Sequence, residues 1–254
     1  MRRGQAEVGV TRRDHPGVTF VLAPFAGGSA YSLVDLPPLL TRPGDTVLVL
    51  QYPGRGPRIS EPHASSLPAL AAEAAHDIAR HTTGELVMAG HSMGGVLCYE
   101  IASKLTTMGR PPAWVVVSAA RTPDRNRLDS ARVLSMTRED WLAEIAGGPA
   151  APASPTSPTE TDEVTDLVIP VMRADYLMLA RYQPAQVPLT VPLLALGGAT
   201  DPWITDDHLT AWSTWTTTHF ERRTLPGAHF YYRDQPAEFC AAIREGPRRS
   251  VSWV

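Results

Sequence analysis

Short apolar runs that alternate with helix-like stretches restrict the folds open to this chain. Most of the runs are rich in valine, leucine and alanine and show little alternation of apolar with polar residues, which is typical of strands buried on both faces of a parallel sheet. Apolar residues at helical spacing between the runs suit crossover helices. The sequence therefore predicts a doubly wound, mostly parallel α/β sheet. The predicted strands cover residues 17–25, 46–52, 85–90, 114–119, 193–197 and 221–225, and the clearest predicted helices cover 67–81 and 96–108.

One connection is much longer than a simple crossover requires. About 70 residues separate the fourth predicted strand from the fifth, where roughly a dozen would be enough. The Pro/Ser/Thr-rich stretch 147–163 is predicted to be non-helical, and a helical pattern follows it over 164–182. A long insertion of this kind is typical of a lid or cap. We therefore predict a single domain over residues 1–254 that carries a helical lid insertion at 121–188.

The overall charge and composition argue against several classes of partner. The chain has 23 basic and 26 acidic residues, interspersed, with a net charge of −3, so no basic face for nucleic acid or anionic lipid stands out. No segment approaches the roughly 18 uninterrupted apolar residues of a membrane span, and no signal-peptide pattern follows the first arginines. Two cysteines, Cys98 and Cys240, are too few for a disulfide framework. We expect a cytoplasmic protein that binds neither nucleic acid nor membranes.

The sharpest local motif is G-x-S-x-G, which occurs as Gly-His-Ser-Met-Gly at residues 90–94. It follows the apolar run ELVMA and opens the helix-like stretch GGVLCYEIASKL. A strand, a strained turn of small residues and a helix form a nucleophile elbow, which exposes the serine side chain above the sheet. This context predicts Ser92 as a nucleophile.

A serine hydroxyl is a poor nucleophile at neutral pH, so it needs a base within hydrogen-bond reach. His229 follows the last predicted strand in a turn of small residues, and we predict that it is this base. The other histidines lie in polar or helical surroundings, except His91, which is next to the nucleophile and is expected to pack.

The base in turn needs an acidic residue that fixes its tautomer. In the α/β-hydrolase fold the chain order is Ser, then Asp or Glu, then His. Asp201 follows the strand-like LLALGG and is the predicted acid, since it would lie with His229 at the carboxyl edge of the sheet. Asp206 and Asp207 are competing candidates, but they precede HLTAWSTW and are typical of the cap and first turn of a helix.

Acyl-group cleavage also requires donors for the developing oxyanion. One should be the backbone N–H of Met93, directly after the nucleophile, and the other should come from the loop after the first long strand. That loop is Gly-rich over residues 24–28, so its backbone can approach a ligand closely. Ala26 is the preferred second donor, with Phe25 as the alternative.

Seven segments spread over nearly the whole chain carry a family resemblance. These segments, in this order along the chain, resemble those of the type II thioesterases that serve polyketide synthases and nonribosomal peptide synthetases. The segments are PFAGGSAYS (24–32), QYPGRGPR (51–58), GHSMGG (90–95), SAARTPD (118–124), PVMRADYLMLARY (170–182), ALGGATDPWIT (195–205) and LPGAHFYY (225–232).

The resemblance implies an α/β-hydrolase that removes stalled or wrong acyl groups from the phosphopantetheine arm of acyl carrier proteins or peptidyl carrier domains. It also implies that Ser92, Asp201 and His229 form the triad, that Ala26 and Met93 donate to the oxyanion, and that the long connection is a mobile lid. We expect a monomer without a metal or organic cofactor, because His229 rather than a Lewis acid activates the nucleophile.

The residues alone leave other activities open. A carboxylester hydrolase or an acyltransferase on the same fold would use the same triad, and only the family resemblance separates these activities from thioester hydrolysis. A noncatalytic binding module on this scaffold would be expected to lack a triad member, whereas Ser92, Asp201 and His229 are all present.

Overall fold

A six-stranded sheet forms the centre of the molecule. The computed structural model describes residues 17–125, 128–145 and 158–247. Each predicted strand segment overlaps an observed strand, with ends that differ by at most three residues, and every neighbouring pair in the sheet is parallel, so the predicted parallel sheet is confirmed. The strands are β1 (Thr19–Ala23), β2 (Thr46–Val49), β3 (Leu86–His91), β4 (Trp114–Ser118), β5 (Leu193–Gly198) and β6 (Phe220–Leu225), in the sheet order β2-β1-β3-β4-β5-β6.

The strand order places two loops side by side. The chain leaves β1 for β2 on one side and later enters β3 on the other side of β1, so the topology switches direction between β1 and β3. Ala23 at the end of β1 is in register with Gly90 near the end of β3. Ligands of open α/β sheets bind beyond the carboxyl ends of the strands at such a switch point. The loop after β1 and the turn after β3 meet there.

Helices cover both faces of the sheet, since every residue of β1, β3 and β5 is buried. The predicted helix over 67–81 is confirmed, and the second predicted helix begins three residues earlier than expected, at Met93, because the turn after β3 leads directly into it. Among the helices of the described ranges, none has the length and apolarity needed to cross a membrane. The helices are α1 (Pro37–Leu40), α2 (Leu67–His81), α3 (Met93–Thr107), α4 (Ser130–Ser135), α5 (Arg138–Ile145), α6 (Pro158–Ala180), α7 (Asp206–Thr210) and α8 (Pro236–Glu245).

The long connection between β4 and β5 contains α4, α5 and α6. The prediction that residues 147–163 are non-helical was wrong for 158–163, because α6 begins at Pro158. Proline is tolerated at the first position of a helix, where its missing N–H would have no intrahelical acceptor. The first part of that stretch, 147–157, lies outside the described residues.

The helix α6 joins two hydrophobic clusters. Met172 packs with Val133 of α4 and Trp141 of α5 in a small separate cluster. One to two turns later, Met178 and Leu179 belong to the main core of the sheet. The helices of the long connection are therefore fixed to the body of the protein through α6.

Candidate active site

The turn between β3 and α3 has the geometry of a nucleophile elbow. Ser92 has φ 54° and ψ −119°, a backbone conformation that is strained for a residue with a side chain. The turn requires glycine on both sides: a Cβ at Gly90 would lie 1.9 Å from the carbonyl oxygen of Gly94, and a Cβ at Gly94 would lie 2.1 Å from that of Ala23. The Ser92 N–H donates to the carbonyl oxygen of Ser118 at 2.7 Å, which fixes the turn against β4.

The structure brings His229 and Asp201 together. His229 Nδ1 lies 2.7 Å from Asp201 Oδ2, and both residues are buried. The other carboxylate oxygen of Asp201 accepts the N–H groups of Trp203, at 2.8 Å, and Ile204, at 3.1 Å. A carboxylate held in this way keeps the proton of His229 on Nδ1 and leaves Nε2 free to act as a base.

The two competing acids lie elsewhere. Asp206 and Asp207 are exposed in the first turn of α7, as the sequence pattern indicated. Asp206 forms an ion pair with Arg222 at 2.7 Å. The geometry therefore favours Asp201 as the partner of His229.

One cavity connects the predicted nucleophile and base. It has a volume of about 430 Å³, and Ser92, His229, Ala26 and Met93 all line it. Phe25, the alternative oxyanion donor, is not among its lining residues. Within the described part of the chain, no protein acceptor pairs with the N–H of Ala26 or Met93. Two free N–H groups beside a serine are the arrangement that stabilises a tetrahedral oxyanion.

His91, next to the nucleophile, packs as expected. Its ring is buried among aromatic side chains, and its Nδ1 lies 2.9 Å from Ser118 Oγ. Burial lowers the pKa of His91 well below its usual range, and the nearby His229 and Arg233 contribute in the same direction. His91 is therefore neutral at physiological pH.

The sequence reasoning missed the residues that shape the far wall of the cavity. Val133 of α4 and Met136, the residue after α4, line it together with Tyr176 of α6, whose hydroxyl donates to Glu144 of α5 at 2.8 Å. Trp203 packs edge-on against His229, with ring centroids 4.8 Å apart. Trp203 lies in the segment 195–205 that carries the family resemblance. Tyr176 lies in the segment 170–182 that carries the family resemblance, whereas Val133 and Met136 had no signal, because α4 is short and carries no motif.

A glycine in β5 allows the acid and base loops to meet. A Cβ at Gly198 would lie 2.2 Å from the carbonyl oxygen of Ala228, next to His229. We expect Gly198→Ala to displace the His229 loop from Asp201 and lower kcat about tenfold, since a shift of roughly 1 Å can cost up to about 100-fold. Steady-state hydrolysis measures kcat, and thermal unfolding measures the effect of the substitution on stability.

Gly109→Ala is the matched control, because Gly109 has φ +74° but open space around its Cα. It should lower the melting temperature without changing kcat. An unchanged kcat for Gly198→Ala would contradict the packing argument.

Comparisons with known proteins identify the family of this chain. The sequence profile of the family described as "Thioesterase domain" matches residues 19–245. The chain is 33% identical over 227 residues to the probable cadicidin biosynthesis thioesterase of Streptomyces griseus, covering 87% of this chain and 61% of that protein. It is 32% identical over 256 residues to thioesterase PikA5 of Streptomyces venezuelae, covering 92% and 84%.

A third relative is much longer. Phenyloxazoline synthase MbtB of Mycobacterium tuberculosis is 32% identical over 227 residues, which are 88% of this chain, but the chain spans only 16% of the length of that protein.

Solved structures show the same fold. The type II thioesterase BorB from the borrelidin biosynthetic cluster superposes with a TM-score of 0.78 at 28% identity, covering 92% of this chain and 94% of that one. The RedJ thioesterase from the prodiginine pathway of Streptomyces coelicolor gives a TM-score of 0.75 at 29% identity, with 91% of both chains covered.

Proposed function

The chain belongs to the thioesterase domain family, and from this premise we propose that it hydrolyses acyl thioesters on the phosphopantetheine arm of carrier proteins. The observation that carries the proposal is one cavity lined by Ser92, by His229 with its partner Asp201 behind it, and by Ala26 and Met93, whose N–H groups are free. A serine, a base and two oxyanion donors around one space are the parts that acyl transfer needs.

The first half of the reaction forms an acyl-enzyme. His229 Nε2 takes the proton of the Ser92 hydroxyl while Ser92 Oγ attacks the thioester carbon, and the N–H groups of Ala26 and Met93 stabilise the oxyanion. When the oxyanion collapses, the carbon–sulfur bond breaks and His229 returns the proton to the departing thiol. The products are an ester on Ser92 and the free thiol of the arm.

The second half releases the acid. His229 takes a proton from a water molecule, the resulting hydroxide attacks the ester carbon, and the same two N–H groups stabilise the second oxyanion. Collapse breaks the bond to Ser92 Oγ, which regains its proton from His229. Throughout, Asp201 holds the imidazole and stabilises its protonated form.

The region 121–188 is proposed to act as the lid of this site. Its helices α4, α5 and α6 contribute Val133, Glu144 and Tyr176 to the cavity wall, and Met136 between α4 and α5 also lines it, so an acyl group bound at Ser92 would lie beneath them. Closure of such a lid would expel bulk water while the acyl-enzyme forms and so strengthen the electrostatic interactions in the site.

The proposed partners are acyl carrier proteins or peptidyl carrier domains, and the proposed state is a cytoplasmic monomer. Support for the partners comes from relatives named for cadicidin biosynthesis and for the borrelidin cluster. Removal of stalled or aberrant acyl groups is the role that we propose in such a pathway.

Delivery by the carrier predicts a large substrate preference. With one acyl group on a carrier protein, on coenzyme A and on a short thiol, we expect kcat/KM to be highest for the carrier by about tenfold or more, because remote binding energy is available in the transition state. Holo carrier without an acyl group should compete with the acyl-carrier substrate. Equal kcat/KM values for all three thioesters would show that the carrier is not recognised. The protein would then be a general esterase or thioesterase.

A further inference from the structure

The loop that carries the Ala26 N–H is held by the segment after β2. The Tyr52 hydroxyl donates to the carbonyl oxygen of Pro24 at 2.8 Å. The amide oxygen of Gln51 accepts the N–H of Ala30 at 3.0 Å. Both ends of the oxyanion loop, residues 24–30, are therefore attached to the sequence motif that begins at Gln51.

The middle of this loop is held by a carboxylate from α6. Asp175, which is 3% exposed, accepts the N–H of Gly27 at 2.8 Å. Arg55 forms a two-pronged ion pair with the same carboxylate, at 2.5 and 2.7 Å, and donates to the carbonyl oxygen of Gly28 at 3.2 Å. A buried, doubly hydrogen-bonded ion pair is geometrically specific, and separating its members inside the protein is costly.

The helix α6 also rests directly on the loop. Gly27 has φ +83°, and a Cβ at this position would lie 2.4 Å from Cγ of Met172 in α6. The backbone at Gly27, the residue after Ala26, is thus held by two residues of α6: Met172 packs against it and Asp175 accepts its N–H. Any movement of α6 away from the body would remove the Gly27 acceptor and leave Arg55 without its carboxylate.

We infer that Asp175, together with Arg55, is a positioning residue that couples the seating of α6 to the formation of the oxyanion hole. With α6 seated, Asp175 holds Gly27 and so aims the neighbouring Ala26 N–H into the cavity. With α6 displaced, the loop relaxes and the site binds acyl groups without stabilising their transition state. This inference rests on the proposed acyl hydrolysis.

The deciding variant is the double replacement Arg55→Met with Asp175→Leu. Replacing a buried ion pair by apolar residues of similar volume is often neutral for stability, so the fold should persist although the Gly27 N–H loses its acceptor. We expect kcat to fall about 100-fold, as when one oxyanion donor is lost. KM should stay within about threefold, because ground-state binding does not use the oxyanion hole.

A second readout separates positioning from general damage. A trifluoromethyl ketone with the same acyl chain forms a tetrahedral adduct with Ser92 and uses the oxyanion hole, so its affinity should fall by about the same factor as kcat. A thioether analogue, which has no carbonyl oxygen, should bind as it binds the wild-type protein.

Asp45→Asn is the matched control. Asp45 also accepts a backbone N–H, that of Val18, and pairs with Arg244 at 2.8 Å, but it does not line the cavity. Asp45→Asn should lower the melting temperature and leave kcat unchanged.

Asp175→Glu decides the question if the double variant does not fold. It keeps the charge that Arg55 requires but moves the carboxylate by one methylene, so kcat should fall about tenfold at constant KM. A folded double variant, or a folded Asp175→Glu protein in its place, with wild-type kcat and wild-type ketone affinity would overturn the inference. Failure of the proposed function looks different: the wild-type protein itself would not hydrolyse the thioester.

Discussion

Ser92→Ala is expected to lower kcat by about 1,000-fold or more, with the fold intact, because no acyl-enzyme can form without the hydroxyl. The fold should persist because the hydroxyl contributes little packing and the backbone bond from residue 92 to Ser118 does not depend on the side chain. Steady-state hydrolysis of an acyl thioester, together with thermal unfolding, measures both parts of the prediction.

Ser103→Ala is the matched control, since Ser103 lies in α3 and does not line the cavity. It should have the kcat of the wild-type protein. Near-normal turnover by a folded Ser92→Ala protein would show that a different group is the nucleophile.

Asp201→Asn is expected to lower kcat by up to about 10,000-fold, the loss seen when a serine protease triad receives the same change. The amide oxygen of asparagine can still accept the N–H groups of Trp203 and Ile204, so the local fold should be kept. The amide nitrogen then faces Nδ1 of His229 and donates to it. That moves the imidazole proton to Nε2, where a base needs a lone pair.

The competing acid supplies the control for this change. Asp206→Asn alters an exposed carboxylate that pairs with Arg222, so only a small change in stability and none in kcat is expected. If Asp206→Asn were the variant that abolished turnover, Asp201 would not be the residue that orients His229.

The strands and the elbow could be predicted from the sequence because their physical requirements are local. A strand buried on both faces must be apolar along its length, which is what the runs before Ser92 and Asp201 show. The elbow allows only small residues at Gly90 and Gly94, because a Cβ at either position would collide with backbone. Local requirements of this kind leave a pattern that can be read without the fold.

The start of α6 was misjudged for a different reason. The Pro, Ser and Thr content of the stretch argued against a helix, but a proline at the first position is compatible with one, and residues 158–163 continue into the helical pattern of 164–182. Because the composition was judged over the whole of 147–163, the start of α6 at Pro158 was not predicted.

The anchoring of the oxyanion loop could not be predicted from the sequence. Arg55 and Asp175 are 120 residues apart, and although each lies in a segment that carries the family resemblance, no local pattern pairs them. Only the fold brings them together and buries them. The same holds for the cavity wall formed by α4 and α5, whose assignment as part of a lid stays a prediction.

The most direct measurement follows the acyl group itself. A carrier protein loaded with one acyl group is mixed rapidly with a smaller amount of enzyme, the reaction is quenched at successive times, and the masses of both intact proteins and of the digested enzyme's peptides are recorded. The acyl mass should pass from the carrier to the peptide that contains Ser92, and free acid should then accumulate while the carrier returns to its thiol form. Loss of the acyl group from the carrier with Ser92 unmodified at every time, or an acyl-carrier that stays unchanged, would contradict hydrolysis through an acyl-enzyme on Ser92.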